Sequence, residues 1–312
     1  DHPWVDAADG AAVRIAMTVA AKGNVAGQLI SVEKEHETKG DAIDIDTRTQ
    51  VGKINADLSI GVNLPDTTPL VSNSGISGMG VALHGSGFVL DPVIAEQYRK
   101  SGDSCIKPYL GGIDLLRTAR KRYLIDFSFL SEQEAKTLNP AAFQHVIDHV
   151  KPERITNRRD SIRKYWWRFG WERPLVRQAI SGINRYLATT ETAKHRVFQF
   201  IPSTILPDHM IVVFALDDAY ALGVLSSRIH VCWALSQGGT LEDRPRYNKT
   251  RCFETFPFPV ATPDQQQRIR DLGEQLDAHR KRQQTQHPDL TMTGMYNVLE
   301  KLRGVEPLTP KD

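Results

Sequence analysis

The sequence predicts an α/β (α+β) fold in which mixed sheets pack against helices and which ends in a helical C-terminal tail. Three observations predict this class. Apolar strand candidates with a two-residue period occupy the first 60 residues and return between residues 185 and 216. Residues typical of helix caps, several of them followed by proline, separate these two strand regions. A long, mostly polar helical pattern then covers residues 263–286.

The N-terminal part of the chain contains three strand candidates, at residues 13–19, 28–32 and 42–47. A stretch rich in Gly and Ser follows at residues 61–92. Gly-rich loops bind phosphate where they join a strand to the N-terminus of a helix. Here the glycines lead into a further strand candidate, at residues 81–83, so we predict tight turns between short strands.

Helix signals dominate the middle of the chain, after a strand candidate at residues 122–127. Ser131 and Glu134 have the spacing of a capping box. Asn157 is a candidate cap for a basic helix that Gly170 would end. We therefore predict helices at residues 91–99, from residue 131 onward, and at residues 139–150, 157–169 and 173–182.

Three further strand candidates lie at residues 185–188, 197–201 and 210–216. The helix expected next, from Asp217 or Asp218 to Leu235, is apolar on nearly all sides, which predicts burial. A polar loop follows at residues 237–255, and the prolines of the segment FPFP end it. The last two helices are expected at residues 263–286 and 294–303.

Composition describes an ordinary globular protein, with 40% hydrophobic and 24% charged residues. No apolar run approaches the roughly 20 residues that span a membrane, and the first residues lack the features of a signal peptide. Three widely spaced cysteines favour neither disulfides nor a thiolate zinc site. We therefore expect a cytoplasmic protein without a membrane partner. The start at Asp1, without Met, suggests a fragment of a longer chain.

The positive charge is concentrated in one block. Residues 151–200 carry a net charge of +8, whereas the whole chain carries +2. Within that block, residues 151–177 hold nine Lys/Arg against three Asp/Glu, together with three of the five Trp. Cationic side chains neutralise phosphates, and aromatic faces stack on bases or bind cations. This segment indicates polyanion binding, although a basic amphipathic helix with core aromatics would show the same pattern.

Catalytic chemistry is not evident in the sequence. His145 and His149 lie four residues apart on a predicted helix, which is a metal-ligand spacing, but no third ligand is nearby. The pattern favours helix-surface histidines over a metal site. No nucleophile elbow and no phosphate-binding lysine motif occurs.

Binding chemistry continues after the basic segment. Residues 189–196 combine three Thr with Lys194, His195 and Arg196, and Arg228 occupies the apolar helix. The loop 244–251 reads RPRYNKTR. Arg and Asn side chains can read base edges, while Lys, Ser and Thr commonly hold phosphates. An ordinary solvated turn remains the alternative interpretation of this loop.

Several segments together resemble the C-terminal part of the MmeI-like, type IIL adenine-specific DNA methyltransferases. These enzymes join an endonuclease, a methyltransferase and a target recognition domain in one chain. The resemblance covers essentially the whole sequence. It is carried by the segments DHPWVDAADGAAVRIAMTV, LHGSGFVL, IKPYLGGIDLL, RYLIDF, VKPERITNRRDSIRKYWWRFGWERP, RPRYNKTRCFETFPFP and GMYNVLEKLR.

The resemblance implies a parent enzyme that uses S-adenosylmethionine to methylate adenine within a defined DNA sequence. The catalytic Asn-Pro-Pro-Tyr/Phe motif and the cofactor-binding Phe-x-Gly-x-Gly motif of that family are absent here. We expect both upstream of Asp1, and therefore no catalytic or cofactor-binding residue in this fragment. On this interpretation residues 1–60 are trailing strands of the methyltransferase domain, residues 61–259 recognise DNA, and residues 260–312 form a helical region.

The implied partners are double-stranded DNA and the remaining methyltransferase, and possibly nuclease, domains of the parent chain. Six cations are expected mainly to bind phosphates: Arg154, Arg158, Arg159, Arg163, Lys164 and Arg168. Base readout is expected in two segments, from Thr190, Lys194, His195, Arg196, Arg244, Arg246, Tyr247, Lys249 and Arg251. Arg173 and Arg228 are expected to contact DNA without an assigned role. The alternatives are a module that docks on other domains of the parent, and a metal-dependent enzyme that uses His145 and His149.

Overall fold

The computed structural model describes residues 2–3, 14–23, 25–37, 43–55, 58–61, 64–100, 103–241, 244–304 and 308–309. The chain forms two compact units, Asp1–Thr68 and Pro69–Asp312. The finer division at residues 60 and 259 remains a prediction. Within the described part of the chain, no helix is both long and apolar enough to cross a membrane.

The first unit consists of antiparallel strand pairs. β1 (His2–Pro3) pairs with β2 (Arg14–Ile15), and β3 (Gly27–Glu37) forms a long hairpin with β4 (Ile43–Gly52). The hairpin confirms the strand predictions at residues 28–32 and 43–47, and Ala42 lies outside the described residues. The prediction at residues 13–19 is wrong beyond Ile15, and Val13 is not among the described residues. Met17 and Val19 are exposed, so no packing partner holds them in a strand.

Ten strands are described in the second unit. They are β5 (Ser77–Met79), β6 (Val89–Leu90), β7 (Ile106–Leu110), β8 (Arg122–Ile125), β9 (Arg185–Thr190), β10 (Gln199–Pro202), β11 (Leu206–Pro207), β12 (Ile211–Phe214), β13 (Thr240–Leu241) and β14 (Arg244–Pro245). One sheet has the order β10-β9-β12-β5, a second has the order β11-β7-β8-β6, and β13 pairs with β14. The β11–β7 pair is parallel and the other pairs in these sheets are antiparallel, which confirms the predicted mixed α/β class.

Twelve helices are described in the same unit. They are α1 (Pro92–Arg99), α2 (Gly112–Leu115), α3 (Glu132–Leu138), α4 (Pro140–His149), α5 (Lys151–Arg154), α6 (Asp160–Lys164), α7 (Pro174–Ser181), α8 (Ala219–Leu225), α9 (Arg228–Gly238), α10 (Lys249–Cys252), α11 (Pro263–Gln286) and α12 (Met292–Arg303). The predicted capping box of Ser131 and Glu134 is confirmed, and Asn139 accepts a hydrogen bond from the Ala142 amide. The prediction of Asn157 as a helix cap is wrong, because α6 begins only after Arg159 and Asn157 Oδ1 accepts from the Arg159 amide outside the helix.

Both faces of the first sheet are buried. In β12, Ile211 and Val213 pack in one apolar cluster, while Val212 and Phe214 pack in another. Successive side chains of a strand point to opposite faces, so a strand covered on both sides is apolar throughout. The second sheet packs with α1, α3 and α4 around a separate cluster that includes Phe143.

Two predicted helices differ from those observed. The basic helix expected at residues 157–169 is helical only over α6, because Trp166, Trp167 and Phe169 leave the helix to pack in the core. The apolar helix expected at residues 218–235 is broken between α8 and α9, where Ser227 accepts a hydrogen bond from the His230 amide and caps α9. The expected burial holds for α8, whereas α9 exposes large apolar side chains.

The close packing of α11 on α8 depends on glycine at two positions. A Cβ atom at Gly273 would lie 2.4 Å from the Ala219 carbonyl oxygen. A Cβ atom at Gly223 would lie 2.9 Å from the Ile269 carbonyl oxygen. Both neighbours are backbone atoms, which cannot move aside without shifting a helix.

We predict that Gly273→Ala destabilises the protein by about 2 kcal/mol, despite the higher helix propensity of alanine, because overpacking forces the two helices apart. Urea unfolding followed by circular dichroism measures the difference. Gly182→Ala is the matched control, since nothing lies within 4 Å of the added Cβ atom. Equal unfolding midpoints for the two variants would contradict the packing role of Gly273.

Candidate nucleic-acid interface

The basic segment, residues 151–177, divides its aromatic side chains between the core and the surface. Trp166 and Trp167 are each 6% exposed and pack in the core. Trp171 is 48% exposed. The guanidinium carbon of Arg173 lies 4.9 Å from the Trp171 ring centroid, and that of Arg159 lies 6.0 Å from it. Trp171 is thus an exposed ring flanked by two cations.

Arg154 is buried, which corrects its assignment as a phosphate contact. Its side chain is 0% exposed, and its guanidinium donates hydrogen bonds to the carbonyl oxygens of Leu83, His84 and Arg168. The same group lies over the Phe88 ring. Burial lowers the pKa of Arg154 to about 10, so the group stays charged at neutral pH. Arg154 joins segments of the protein and has no surface for DNA.

The other predicted phosphate contacts are accessible. Arg158, Arg159, Arg163 and Lys164 are exposed, and Arg168 is half-buried. Arg163 pairs with Asp160 and donates to the Asn157 carbonyl oxygen at 2.7 Å. Arg168 donates to the Leu130 carbonyl oxygen at 2.7 Å. Arg228 is exposed in the first turn of α9.

The two segments predicted to read bases are joined to each other. The Ala193 amide donates to the Pro245 carbonyl oxygen at 3.3 Å, and the Tyr247 amide donates to the Glu191 carbonyl oxygen at 2.6 Å. The Glu191 carboxylate accepts from Arg246 Nε at 2.8 Å and from a second nitrogen of the same guanidinium at 2.6 Å. Residues more than 50 positions apart in the sequence therefore form one surface.

Arg196 forms the buried connection beneath that surface. Its guanidinium donates to the Thr190 carbonyl oxygen, to Thr189 Oγ1 at 3.3 Å and to the Pro245 carbonyl oxygen at 3.1 Å. It also lies 5.0 Å from the ring centroid of Tyr247. Burial lowers the pKa of Arg196 to about 10. No carboxylate of the described residues forms an ion pair with it, so backbone and hydroxyl oxygens hold the buried charge.

Burial also corrects the assignment of Arg196 and Tyr247 to direct base contacts. Arg196 is 8% exposed and Tyr247 is 1% exposed. The Tyr247 hydroxyl lies 2.9 Å from His230 Nε2, inside an aromatic cluster with Phe198 and Phe214. Both side chains support the surface from below and do not reach it.

Some of the remaining predicted readout residues are exposed, and others are hydrogen-bonded to neighbouring side chains. Lys194 and Arg244 are exposed. Lys194 Nζ donates to Asn297 Oδ1 at 2.7 Å, and His195 Nε2 lies 2.8 Å from the same atom. Lys249 pairs with Glu254 at 2.6 Å, while Arg251 is exposed. Thr190 is 4% exposed, and its carbonyl oxygen accepts from Arg196.

A cleft of about 850 Å³ lies beside the joined segments. Thr190, Lys194 and Arg244 line it, together with cations that the sequence reasoning missed: Arg117, Arg120 and Arg122. The missed signal is the run RTARKR, which places four cations in six residues. It was hidden because the charges of the surrounding block, residues 101–150, cancel.

The two histidines lie side by side, and hydrogen bonds occupy both ring nitrogens of His145. His145 and His149 have ring centroids 4.3 Å apart. His145 Nε2 lies 3.1 Å from the Gly87 carbonyl oxygen, and its Nδ1 lies 3.0 Å from the Tyr98 hydroxyl, so both nitrogens are hydrogen-bonded. Among the described residues, no group of three or more His, Cys, Asp or Glu side chains is placed to hold a metal ion. This geometry does not support the metal-dependent alternative.

The family model described as "MmeI, target recognition domain" matches residues 82–260, more than half of the chain. The chain belongs to the MmeI target recognition domain family. That membership confirms the resemblance of its sequence to MmeI-like enzymes. The matched region includes the basic segment and both joined segments, but it ends before α11 and α12.

Two similar proteins extend this comparison. The solved structure of the type IIL restriction–modification enzyme MmeI in complex with DNA superposes with a TM-score of 0.62 and 16% sequence identity. The superposition covers 86% of this chain and 40% of the MmeI chain. DNA methyltransferase A of Bacillus subtilis (strain 168) is 38% identical over 56 residues, which is 18% of this chain and 6% of that protein. The chain therefore spans less than half the length of either relative.

We predict that Arg196→Met lowers the free energy of unfolding by about 3 kcal/mol, because it leaves buried carbonyl oxygens without donors. Hydrogen exchange of the Ala193 and Tyr247 amides should accelerate, since these amides connect the two segments. Arg251→Met, which removes an exposed arginine nearby, should leave both rates unchanged. Unchanged exchange at both amides in Arg196→Met would show that Arg196 does not hold the segments together.

We also predict acid destabilisation through His230. Burial, reinforced by the charge of Arg196, lowers the pKa of His230 from 6.5 to about 3. The unfolded chain therefore takes up a proton below pH 6.5 that the folded protein does not. Stability contributed by neutral His230 is complete above pH 6.5 and falls by about 2 kcal/mol by pH 5.

Urea unfolding at pH 7 and at pH 5 measures this loss. His230→Gln should lose less stability than the native protein between these pH values. A smaller loss should remain, because burial also lowers the pKa of His84 and of His145. Equal losses in the native protein and the variant would exclude His230 as the titrating group.

Proposed function

We propose that this chain recognises a specific sequence in double-stranded DNA on behalf of an S-adenosylmethionine-dependent adenine methyltransferase of a restriction–modification system. The observation that carries the proposal is the joining of residues 189–196 to residues 244–251 in a chain of the MmeI target recognition domain family. The sequence of each segment, taken by itself, predicts base readout. The two joined segments expose Lys194 and Arg244, and a surface that reads bases needs such exposed donors on a fixed framework.

Support for the DNA partner comes from similarity. The structurally similar MmeI enzyme was solved in complex with DNA, and the Bacillus relative is a DNA methyltransferase by name. Because this chain spans only part of either relative, we propose the methyltransferase and nuclease domains as partners within a longer enzyme. We propose a cytoplasmic location, because three widely spaced cysteines suit a reducing compartment.

The cofactor belongs to the proposed parent enzyme. Neither the Phe-x-Gly-x-Gly motif nor the Asn-Pro-Pro-Tyr/Phe motif occurs in this sequence. No residue of this chain is therefore assigned to S-adenosylmethionine, and no chemical step is assigned to it. Its proposed contribution is to select the DNA site at which the parent acts.

Different residues serve different parts of this selection. The exposed cations Arg158, Arg159, Arg163 and Lys164 bind phosphates and give affinity without sequence preference. Lys194 and Arg244 face base edges. Arg196 and Tyr247 hold the two readout segments in register from below.

We predict that Arg163→Ala weakens binding of all duplex sequences to a similar extent and reduces the slope of log K against log salt by ~0.9. Lys194→Ala should change which sequences are preferred. Selection of bound duplexes from a random library, followed by titration at several salt concentrations, measures both effects. Arg268→Ala, an exposed arginine on α11, is the control for a general loss of positive charge.

Absence of duplex binding by the native chain at low salt would refute the proposed function. Uniform weakening by both Arg163→Ala and Lys194→Ala would retain DNA binding but remove Lys194 from base readout. Binding that is insensitive to salt would favour the alternative of a protein-docking module, since several phosphate contacts impose a steep salt dependence.

A further inference from the structure

We propose that the cleft beside the joined segments binds the phosphodiester backbone of one DNA strand, and that α12 forms one of its walls. This inference rests on the proposed DNA recognition and goes beyond it, because it assigns a binding role to the C-terminal helical region. Arg117, Arg120 and Arg122 line the cleft and are the proposed phosphate contacts, and Lys194 and Arg244, which are proposed to read bases, line it as well. Thr291 and Thr293, at the start of α12, complete the lining.

The cations of the cleft outnumber its carboxylates. Five Lys/Arg line it, and the carboxylate that lines it is Asp208. Asp208 already accepts a hydrogen bond from the Tyr109 hydroxyl at 2.7 Å. Asp114, which is 3% exposed, offsets part of the charge of Arg120 and Arg122 from below. The lining of the cleft therefore carries an excess of positive charge, which favours an anionic ligand.

The orientation of two arginines favours phosphate over bases. Arg120 Nε donates to the Asp114 carboxylate at 2.7 Å, and Arg122 pairs with the same carboxylate. The guanidinium of Arg122 also lies 5.2 Å from the Tyr109 ring centroid. Each guanidinium therefore already gives one donor to Asp114 and has fewer donors left for a guanine edge, while its charge still attracts phosphate. Arg117 is exposed in the adjacent loop.

Helix α12 is attached to the rest of the cleft by specific contacts. The Met292 amide donates to the Leu116 carbonyl oxygen at 2.8 Å, so α12 begins beside the loop that carries Arg117. Asn297 of α12 accepts a hydrogen bond from Lys194, which also lines the cleft. Threonine hydroxyls, such as those of Thr291 and Thr293, commonly hold DNA phosphates. The region matched by the family model ends at residue 260, so this wall lies outside it.

The decisive variant is Thr293→Glu. Position 293 lies in the first turn of α12, where a negative charge stabilises a helix, so the variant should fold normally. In the cleft the same charge repels phosphate and should weaken binding about tenfold at low salt. Arg117→Ala should weaken binding of every duplex sequence and lower the salt slope by ~0.9.

Two matched variants control these changes. Gln265→Glu introduces the same charge into the first turn of α11, at a capping-box position away from the cleft lining. Arg303→Ala removes an exposed arginine from the far end of α12. Both should bind duplex DNA as the native chain does. Fluorescence anisotropy of a labelled random-sequence duplex, with thermal unfolding of each variant, provides the measurement.

The inference is overturned if the native chain binds duplex DNA but Thr293→Glu and Arg117→Ala bind as tightly as their controls. It is also overturned if Arg117→Ala changes sequence preference without lowering the salt slope, because that result indicates base readout. Failure of the native chain itself to bind would remove the proposed function and this inference together.

Discussion

A guanidinium group without a carboxylate partner in the described part of the chain joins the two segments of the proposed recognition surface. Arg196 satisfies its donors with oxygen atoms of Thr189, Thr190 and Pro245. A buried charge is costly unless hydrogen bonds compensate it, so these oxygens must stay in place around it. The end of β9 and the start of the 244–251 loop are thereby fixed to each other. Every surface residue proposed to meet DNA there depends on this fixed spacing.

The positive charges of this protein fall into two groups, buried and exposed. Arg154 and Arg196 donate hydrogen bonds to backbone carbonyl oxygens inside the protein. Lys194 and Arg244 sit above such a framework and face solvent. Positive charge close to the surface attracts phosphate, whereas buried positive charge organises the loops that present it. A count of basic residues in a sequence cannot separate buried from exposed cations, because both add equally to the net charge.

The sequence reveals local features better than three-dimensional ones. The cap at Ser131 was predictable because a cap acts on amides within three residues. The burial of Arg154 was not predictable, since its acceptors at Leu83 and His84 lie 71 and 70 residues away. The break at Ser227 was missed because apolar periodicity continues across it. The cleft arginines were missed because the charges of residues 101–150 cancel, and because folding is needed to bring them together with Lys194 and Arg244.

The contact between α8 and α11 bears on which part of the chain can exist as an autonomous folding unit. Gly223 and Gly273 bring the two helix backbones together, and the apolar side chains of α8, among them Leu222 and Leu225, are buried. A chain cut at residue 260, where the family match ends, would expose this surface to water. The family match thus ends before the packing partner that α8 needs. Exchange of recognition modules between relatives would have to carry α11 with them.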